Sequence, residues 1–276
     1  MQIGIFAKTF SGKTPLDVLQ AVRKSGFECA QYNMACSGLP AMPDAIDAAT
    51  AAAVRCASTA TQIPLVAVSA TYNMIHPDPA VCAAGHRRLQ VIAANAKAMG
   101  IPLLTLCTGT RDATDQWRGH PDNASPQAWN DLLRAMEQTL EVAEAHDIDL
   151  GIEPELANVV NSPTAARRLI LQLQSERIKI VLDPANLFER AERTEQQRLV
   201  SQAIDGLADR IVMAHAKDRR ADGSFTIAGK GVLDYEHYLN ALLASGFTGP
   251  LVAHGIEAKD AAATARFLRN KLEGAR

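Results

Sequence analysis

The strongest constraint on the fold of this chain is a repeat in which short apolar runs alternate with longer amphipathic segments. Runs rich in Ile, Val and Leu predict buried strands of a parallel sheet. We find eight of them, at residues 3–7, 29–33, 65–70, 103–107, 150–152, 178–182, 211–214 and 251–253. Eight strands that are each followed by a helix form a closed (β/α)₈ barrel. We therefore predict an α/β protein in which residues 1–276 fold as one (β/α)₈ TIM barrel domain.

Local signals mark where the predicted helices begin and end. Four helices start with a capping residue followed by proline, at Thr14-Pro15, Asp78-Pro79, Ser125-Pro126 and Ser162-Pro163. The cap side chain accepts a hydrogen bond from a free backbone N–H, and proline has no N–H to leave unpaired. Glycine after a predicted helix, followed directly by an apolar residue, predicts three helix ends, at Gly26, Gly100 and Gly246. The other helices are predicted near 44–62, 194–208 and 260–272.

Composition excludes several classes of partner. The formal net charge is −2 and the pI about 6.4, so the chain lacks the basic balance of nucleic-acid or membrane-surface binders. No apolar run approaches the roughly 20 residues that span a bilayer, and the first residues do not resemble a signal peptide. Cysteine occurs five times, without a CxxC pair. Because an odd set without pairing motifs fits a reducing compartment, we expect a cytoplasmic protein.

Polar side chains follow each of the last four predicted strands. They are Glu153, Asp183, His215 and His254, spaced by about one strand–helix unit. In a (β/α)₈ barrel these positions meet at the carboxyl end of the strands, where active sites are built. Two carboxylates and two imidazoles suit one divalent ion such as Mn²⁺, Zn²⁺, Co²⁺ or Fe²⁺. The alternative is a hydrogen-bonded polar cluster without metal.

Further residues at the same end are candidates for substrate contact. Asn186 stands three residues after Asp183 and can reach back over the mouth of the barrel. The remaining candidates lie in the connections after the third, fourth and seventh strands: Asn73, His76, Arg111, Trp117, His120 and Lys217. The three candidates after the fourth strand all belong to a long irregular stretch, 108–123, which is typical of an active-site loop. The charged run 217–220 is predicted to be a solvated loop.

With these motifs the chain resembles the sugar phosphate isomerase/epimerase superfamily, whose members are xylose isomerase-like TIM barrels. The resemblance rests on motifs around the last four strands: Gly151-Ile152-Glu153-Pro154-Glu155, Val181-Leu182-Asp183-Pro184-Ala185-Asn186, Met213-Ala214-His215-Ala216-Lys217-Asp218 and Gly246-Phe247-Thr248-Gly249-Pro250-Leu251. It implies a small-molecule sugar substrate, and a homodimer as one option. Endonuclease IV-type relatives are a poor match, because their additional histidines are missing here and no basic surface is expected.

The resemblance also implies roles for the four residues. Epimerase relatives bind their metal with Glu, Asp, His and Glu, which match Glu153, Asp183 and His215, whereas His254 replaces the last glutamate. We therefore predict Glu153 as metal ligand and base, and His254 as fourth ligand or second acid/base group. The expected reaction is isomerisation or epimerisation of a keto sugar or sugar phosphate by removal of a proton beside a carbonyl that the metal polarises.

Two other functions stay open because of His254. Loss of a leaving group after the same proton removal would make the protein a lyase or dehydratase for a keto-glycoside or inosose-like substrate. A barrel that binds sugar without turning it over is the non-enzymatic alternative.

Overall fold

The computed structural model describes residues 1–275 and contains a closed barrel of eight parallel strands. In chain order the strands are β1 Ile3–Phe6, β2 Cys29–Tyr32, β3 Leu65–Ser69, β4 Leu103–Leu106, β5 Asp149–Ile152, β6 Ile178–Leu182, β7 Ile211–Arg219, β8 Phe225–Ile227 and β9 Leu251–Ala253. Each barrel strand pairs with its neighbours, and the β6–β7 pairing closes the ring. The short β8 lies outside the ring. The predicted TIM barrel is confirmed.

Eight α-helices surround the described barrel. They are α1 Pro15–Lys24, α2 Ala48–Thr61, α3 Pro79–Met99, α4 Pro126–His146, α5 Pro163–Leu173, α6 Arg193–Leu207, α7 Tyr235–Ala244 and α8 Ala261–Gly274. All four predicted capping residues accept a hydrogen bond from the first turn of their helix. The predicted glycine stops are confirmed as well, since Gly26, Gly100 and Gly246 have positive φ angles. These positions let the chain reverse from each helix into the next strand.

Most of the apolar side chains form one core between the helices and the outside of the barrel. A second, smaller cluster fills the amino-terminal half of the barrel interior, and it contains Ala67, Leu103, Val181, Met213 and Val252. The carboxyl-terminal half of the interior is polar instead. The barrel interior is therefore filled by apolar packing at one end and lined by polar side chains at the other.

Strand β7 differs from the prediction. It continues past His215 to Arg219 and turns back to pair antiparallel with β8. The prediction of a solvated loop at 217–220 is wrong for its two central residues, because Asp218 and Arg219 are buried. Four backbone N–H groups of the surrounding turn donate to the Asp218 carboxylate. Arg219 donates to the carbonyl oxygens of Ala185 and Gly223. Neutralising contacts of this kind allow a charged pair of residues to be buried.

In residues 1–275, no helix is both long and apolar enough to cross a membrane.

Candidate metal centre

Three of the predicted ligands come together at the carboxyl end of the barrel. One ligand atom each of Glu153, Asp183 and His215 lies within 4.8 Å of the other two. Asp183 and His215 are almost completely buried, at 1% exposure each. Glu153 follows β5, Asp183 follows β6 and His215 lies within β7, so three consecutive strands position the group. Two carboxylate oxygens and one imidazole nitrogen form a donor set for a transition-metal ion.

The Asp183 carboxylate is held by one oxygen and leaves the other free. Its Oδ1 accepts from the backbone N–H of Ala185 at 2.9 Å, as the cap of a short 3₁₀ turn. Its Oδ2 is buried without a hydrogen-bond partner and lies 3.8 Å from Nδ1 of His215. Burial raises the pKa of Asp183, with a lowering contribution from Lys217. A buried, unpartnered carboxylate oxygen is costly, and a cation at this point would satisfy it.

Glu153 faces the same point. Its Oε1 accepts from Asn186 Nδ2 at 2.9 Å and lies 3.3 Å from Nδ1 of His215. Burial raises the pKa of Glu153, but the His215 charge and hydrogen bond outweigh this and hold it at about 2. The predicted position of Asn186 over the mouth is therefore observed. Its Oδ1 is buried without a partner and is free to bind a further donor.

A residue that the sequence did not single out contacts the other side of His215. Gln31 lies in the middle of β2, and its Oε1 is 3.0 Å from Nε2 of His215. Its Nε2 donates to the hydroxyls of Ser69 and Thr105, at 3.3 and 3.2 Å. All of these groups are buried. The only signal in the sequence was an amide within an otherwise apolar strand segment.

His254 lies outside the three-residue group, one level closer to the rim. The register pairs His215 with Val252, so His254 comes two residues further along the chain, directly after the end of β9. Its ring stacks between Phe6 and His215, at 5.0 and 5.1 Å between centroids. Burial, followed by the charge of His215, lowers the pKa of His254 to about 3. This imidazole is therefore neutral at physiological pH.

Lys217 and Glu155 add charge to the rim. Lys217 lies on the strand extension, and its Nζ is 3.4 Å from the centroid of the Phe225 ring. Its charge lowers the pKa values of both Glu153 and Asp183, which places it near the group. Burial, together with the charge of Glu153, raises the pKa of Glu155 to about 7. No sequence pattern predicts that change in the pKa of Glu155, since it depends on burial in the folded chain.

The remaining candidates lie around the connections that follow β3 and β4. Asn73 donates to Thr110 O and accepts from Thr110 N, so it clamps one loop to the other. The Nε2 atom of His76 lies 3.1 Å from the carbonyl oxygen of Ala113. Arg111 pairs with Asp131 of α4. These side chains hold the loops together, and their contact with substrate stays a prediction.

Trp117 and His120 occupy the outer part of the long loop. Trp117 is 50% exposed, and it lines a cavity of about 540 Å³ together with Asn73 and His76. His120 caps a short 3₁₀ turn through the N–H of Asp122. A role for either side chain in covering a sugar also stays a prediction.

Comparison with known proteins identifies the family of the fold. The model of the family described as xylose isomerase-like TIM barrel matches residues 19–271. The chain belongs to this family. No curated protein matches it significantly.

Several solved structures share the fold at low sequence identity. The 3-keto-D-glucoside 4-epimerase from E. coli is 16% identical, with a TM-score of 0.76 over 98% of this chain and 99% of that one. A D-tagatose 3-epimerase-like protein is 14% identical, with a TM-score of 0.79 over 100% and 98%. An L-ribulose 3-epimerase is 19% identical, with a TM-score of 0.76 over 100% and 95%. At these identities the likeness shows the fold, and the site must be judged from its own residues.

Proposed function

We propose that the chain is a divalent-metal-dependent isomerase or epimerase of a keto sugar or sugar phosphate. The observation that carries the proposal is the close group of Glu153, Asp183 and His215, in which the last two residues are buried and one Asp183 oxygen has no partner. Sugar epimerases among the similar structures support the substrate class. An ion held there would stabilise the negative charge that develops when a proton leaves the carbon next to a carbonyl.

The surrounding residues would divide the remaining work. Glu153 is ionised and only partly buried beside the proposed ion, so its free carboxylate could accept the proton. The free Oδ1 of Asn186 would accept a hydrogen bond from a substrate hydroxyl, and the Lys217 ammonium would donate to a substrate oxygen. We assign His254 to the second acid/base role, because its stacked ring lies outside the ligand group. Its neutral ring would take up a proton in one direction of the reaction, and the imidazolium so formed would return it in the other.

Metal analysis tests the first part of this proposal. We expect about one equivalent of a transition metal in protein purified without chelator or metal-affinity tag. Asp183→Ala and His215→Ala should lose it, because each removes a ligand. His254→Ala should retain it, and His146→Ala, at the far end of α4, serves as the control histidine. A parent protein that takes up neither Mn²⁺ nor Zn²⁺ would contradict the proposal, and loss of metal in His254→Ala would make His254 a ligand.

The replacement of a carboxylate by His254 favours a second candidate, a lyase or dehydratase acting on a keto-glycoside or inosose-like substrate. A single base followed by departure of a leaving group needs no second carboxylate. The two reactions differ in their products. A lyase yields an enone that absorbs in the near ultraviolet, whereas an epimerase exchanges a substrate C–H for deuterium in D₂O. Glu153→Gln should abolish either one, and binding without turnover would indicate a non-catalytic barrel.

Three further predictions accompany the proposal. A cytoplasmic location is supported by the five cysteines, all of which are free. One domain over residues 1–276 and assembly as a homodimer are proposed as well, and light scattering of the purified protein would test the dimer.

A further inference from the structure

We infer that Gln31 is a positioning residue that fixes the proton of His215 on Nε2 and so presents Nδ1 to the metal; this rests on the proposed function. The two ring nitrogens of His215 face different partners. Nδ1 is directed towards Glu153 Oε1 and Asp183 Oδ2, at 3.3 and 3.8 Å. Nε2 is directed away from them, towards Gln31 Oε1 at 3.0 Å. Only Nδ1 can therefore join the carboxylates around one ion.

A histidine that binds metal through one nitrogen carries its proton on the other. That N–H requires an acceptor when it is buried, since an unsatisfied buried donor loses its bond to water without replacement. At 1% exposure, His215 has no access to water that could replace a lost acceptor. In the described structure the amide oxygen of Gln31 is the group that can take this role. Acceptors of this kind orient the ring and increase its basicity as a ligand.

The orientation of the Gln31 amide is itself supported. Its Nε2 donates to Ser69 Oγ and Thr105 Oγ1, on β3 and β4. With the nitrogen directed at these hydroxyls, the oxygen must face His215. On the backbone side, Tyr238 donates to the carbonyl oxygen of His215 at 3.1 Å. The contacts therefore link β2, β3 and β4 to a ligand on β7, across the interior of the barrel.

Affinity for metal tests this role separately from stability. Gln31→Met keeps the length of the side chain but removes the acceptor, so we expect Zn²⁺ and Mn²⁺ to bind about 10–100 times more weakly in chelator competition. Gln31→Glu restores an acceptor and should bind close to the parent. Gln196→Met is the matched control, because Gln196 is equally buried but lies on α6, where it bonds Ala191 O.

A spectroscopic measurement tests the proton position directly. In protein with ¹⁵N-labelled histidine loaded with Zn²⁺, long-range ¹H–¹⁵N spectra should show His215 protonated on Nε2 and coordinated through Nδ1. The signal is assigned by its absence in His215→Asn. This measurement needs only the parent protein, so it decides the question even if Gln31→Met does not fold.

The outcomes separate the two proposals. Parent protein that binds no metal overturns both of them. Parent protein that binds metal while Gln31→Met binds it equally well overturns the role of Gln31 alone, as does a His215 that is protonated on Nδ1 in the Zn²⁺ form. Gln196→Met could also weaken metal binding as much as Gln31→Met does. That result would show a general effect of losing a buried glutamine, and it would overturn the role of Gln31.

Discussion

At the scale of single residues, burial separates the cysteines into one reactive thiol and several inert ones. Cys56 is exposed on α2. Burial raises the pKa of Cys29 and Cys107 to about 12 and that of Cys36 to about 11. Burial also raises the pKa of the partly exposed Cys82. Because the thiolate is the nucleophile, a raised pKa leaves these four largely protonated and slow at pH 8.

We therefore predict one fast-reacting thiol in the native protein and five after unfolding in urea. Alkylation with iodoacetamide at pH 8, followed by peptide mass spectrometry, measures this. Cys56→Ser should remove the fast phase. Labelling of Cys107 at a rate similar to Cys56 would show that the loop over β4 opens readily and would contradict the prediction.

The residues of the candidate site differ in how well the sequence alone predicts their positions. Glu153, Asp183 and His215 follow or end apolar strand segments, so strand counting alone places them at one mouth. The stacking of His254 depends on the register between β7 and β9, which local sequence does not reveal. Gln31 could not be predicted to contact His215, since its partner lies 184 residues away. The raised pKa of Glu155 could not be predicted either, because it results from burial in the folded chain.

At the scale of elements, substitution of two glycines by alanine should change the stability of the protein in opposite directions. Gly206 lies inside α6, and Gly246 has a φ of +80° after α7. A Cβ atom at either position would meet nothing within 4 Å. The backbone conformation of each glycine therefore decides whether alanine raises or lowers the free energy of unfolding. Gly206→Ala should stabilise the protein by about 0.5–1 kcal/mol, and Gly246→Ala should destabilise it by about 1–2 kcal/mol. Urea unfolding of the pair measures both, and equal signs would contradict the argument.

Helices and strands were predictable here because their boundaries carry local chemistry. Proline after a capping residue, and glycine at a helix end, act within a few residues of the chain. The extension of β7 was missed because residues 215–219 are mostly polar and look like a loop. Their burial depends on distant contacts, above all the β8 strand and the turn that encloses Asp218.

At the scale of the whole molecule, the metal centre should couple binding to stability. An ion that binds only the folded state stabilises it by about 2.7 kcal/mol at 100 times its Kd, which corresponds to a Tm increase of about 5 °C. Asp183→Asn keeps the bond to Ala185 N but removes the charge, so its Tm should not respond to Mn²⁺. Calorimetry with and without Mn²⁺ measures this. A variant that responds as strongly as the parent would remove Asp183 from the ligand set.

The rim of the barrel is divided between two halves of the chain. The group that we propose for the metal comes from β5, β6 and β7, whereas the long loop with Trp117 follows β4 and is tied to the β3 connection by Asn73. Directed evolution can use this separation. A library randomised at residues 113–120 would vary the wall beside the proposed substrate site while leaving the proposed ligands and their supports unchanged. New substrate preferences could then be selected without rebuilding the chemistry.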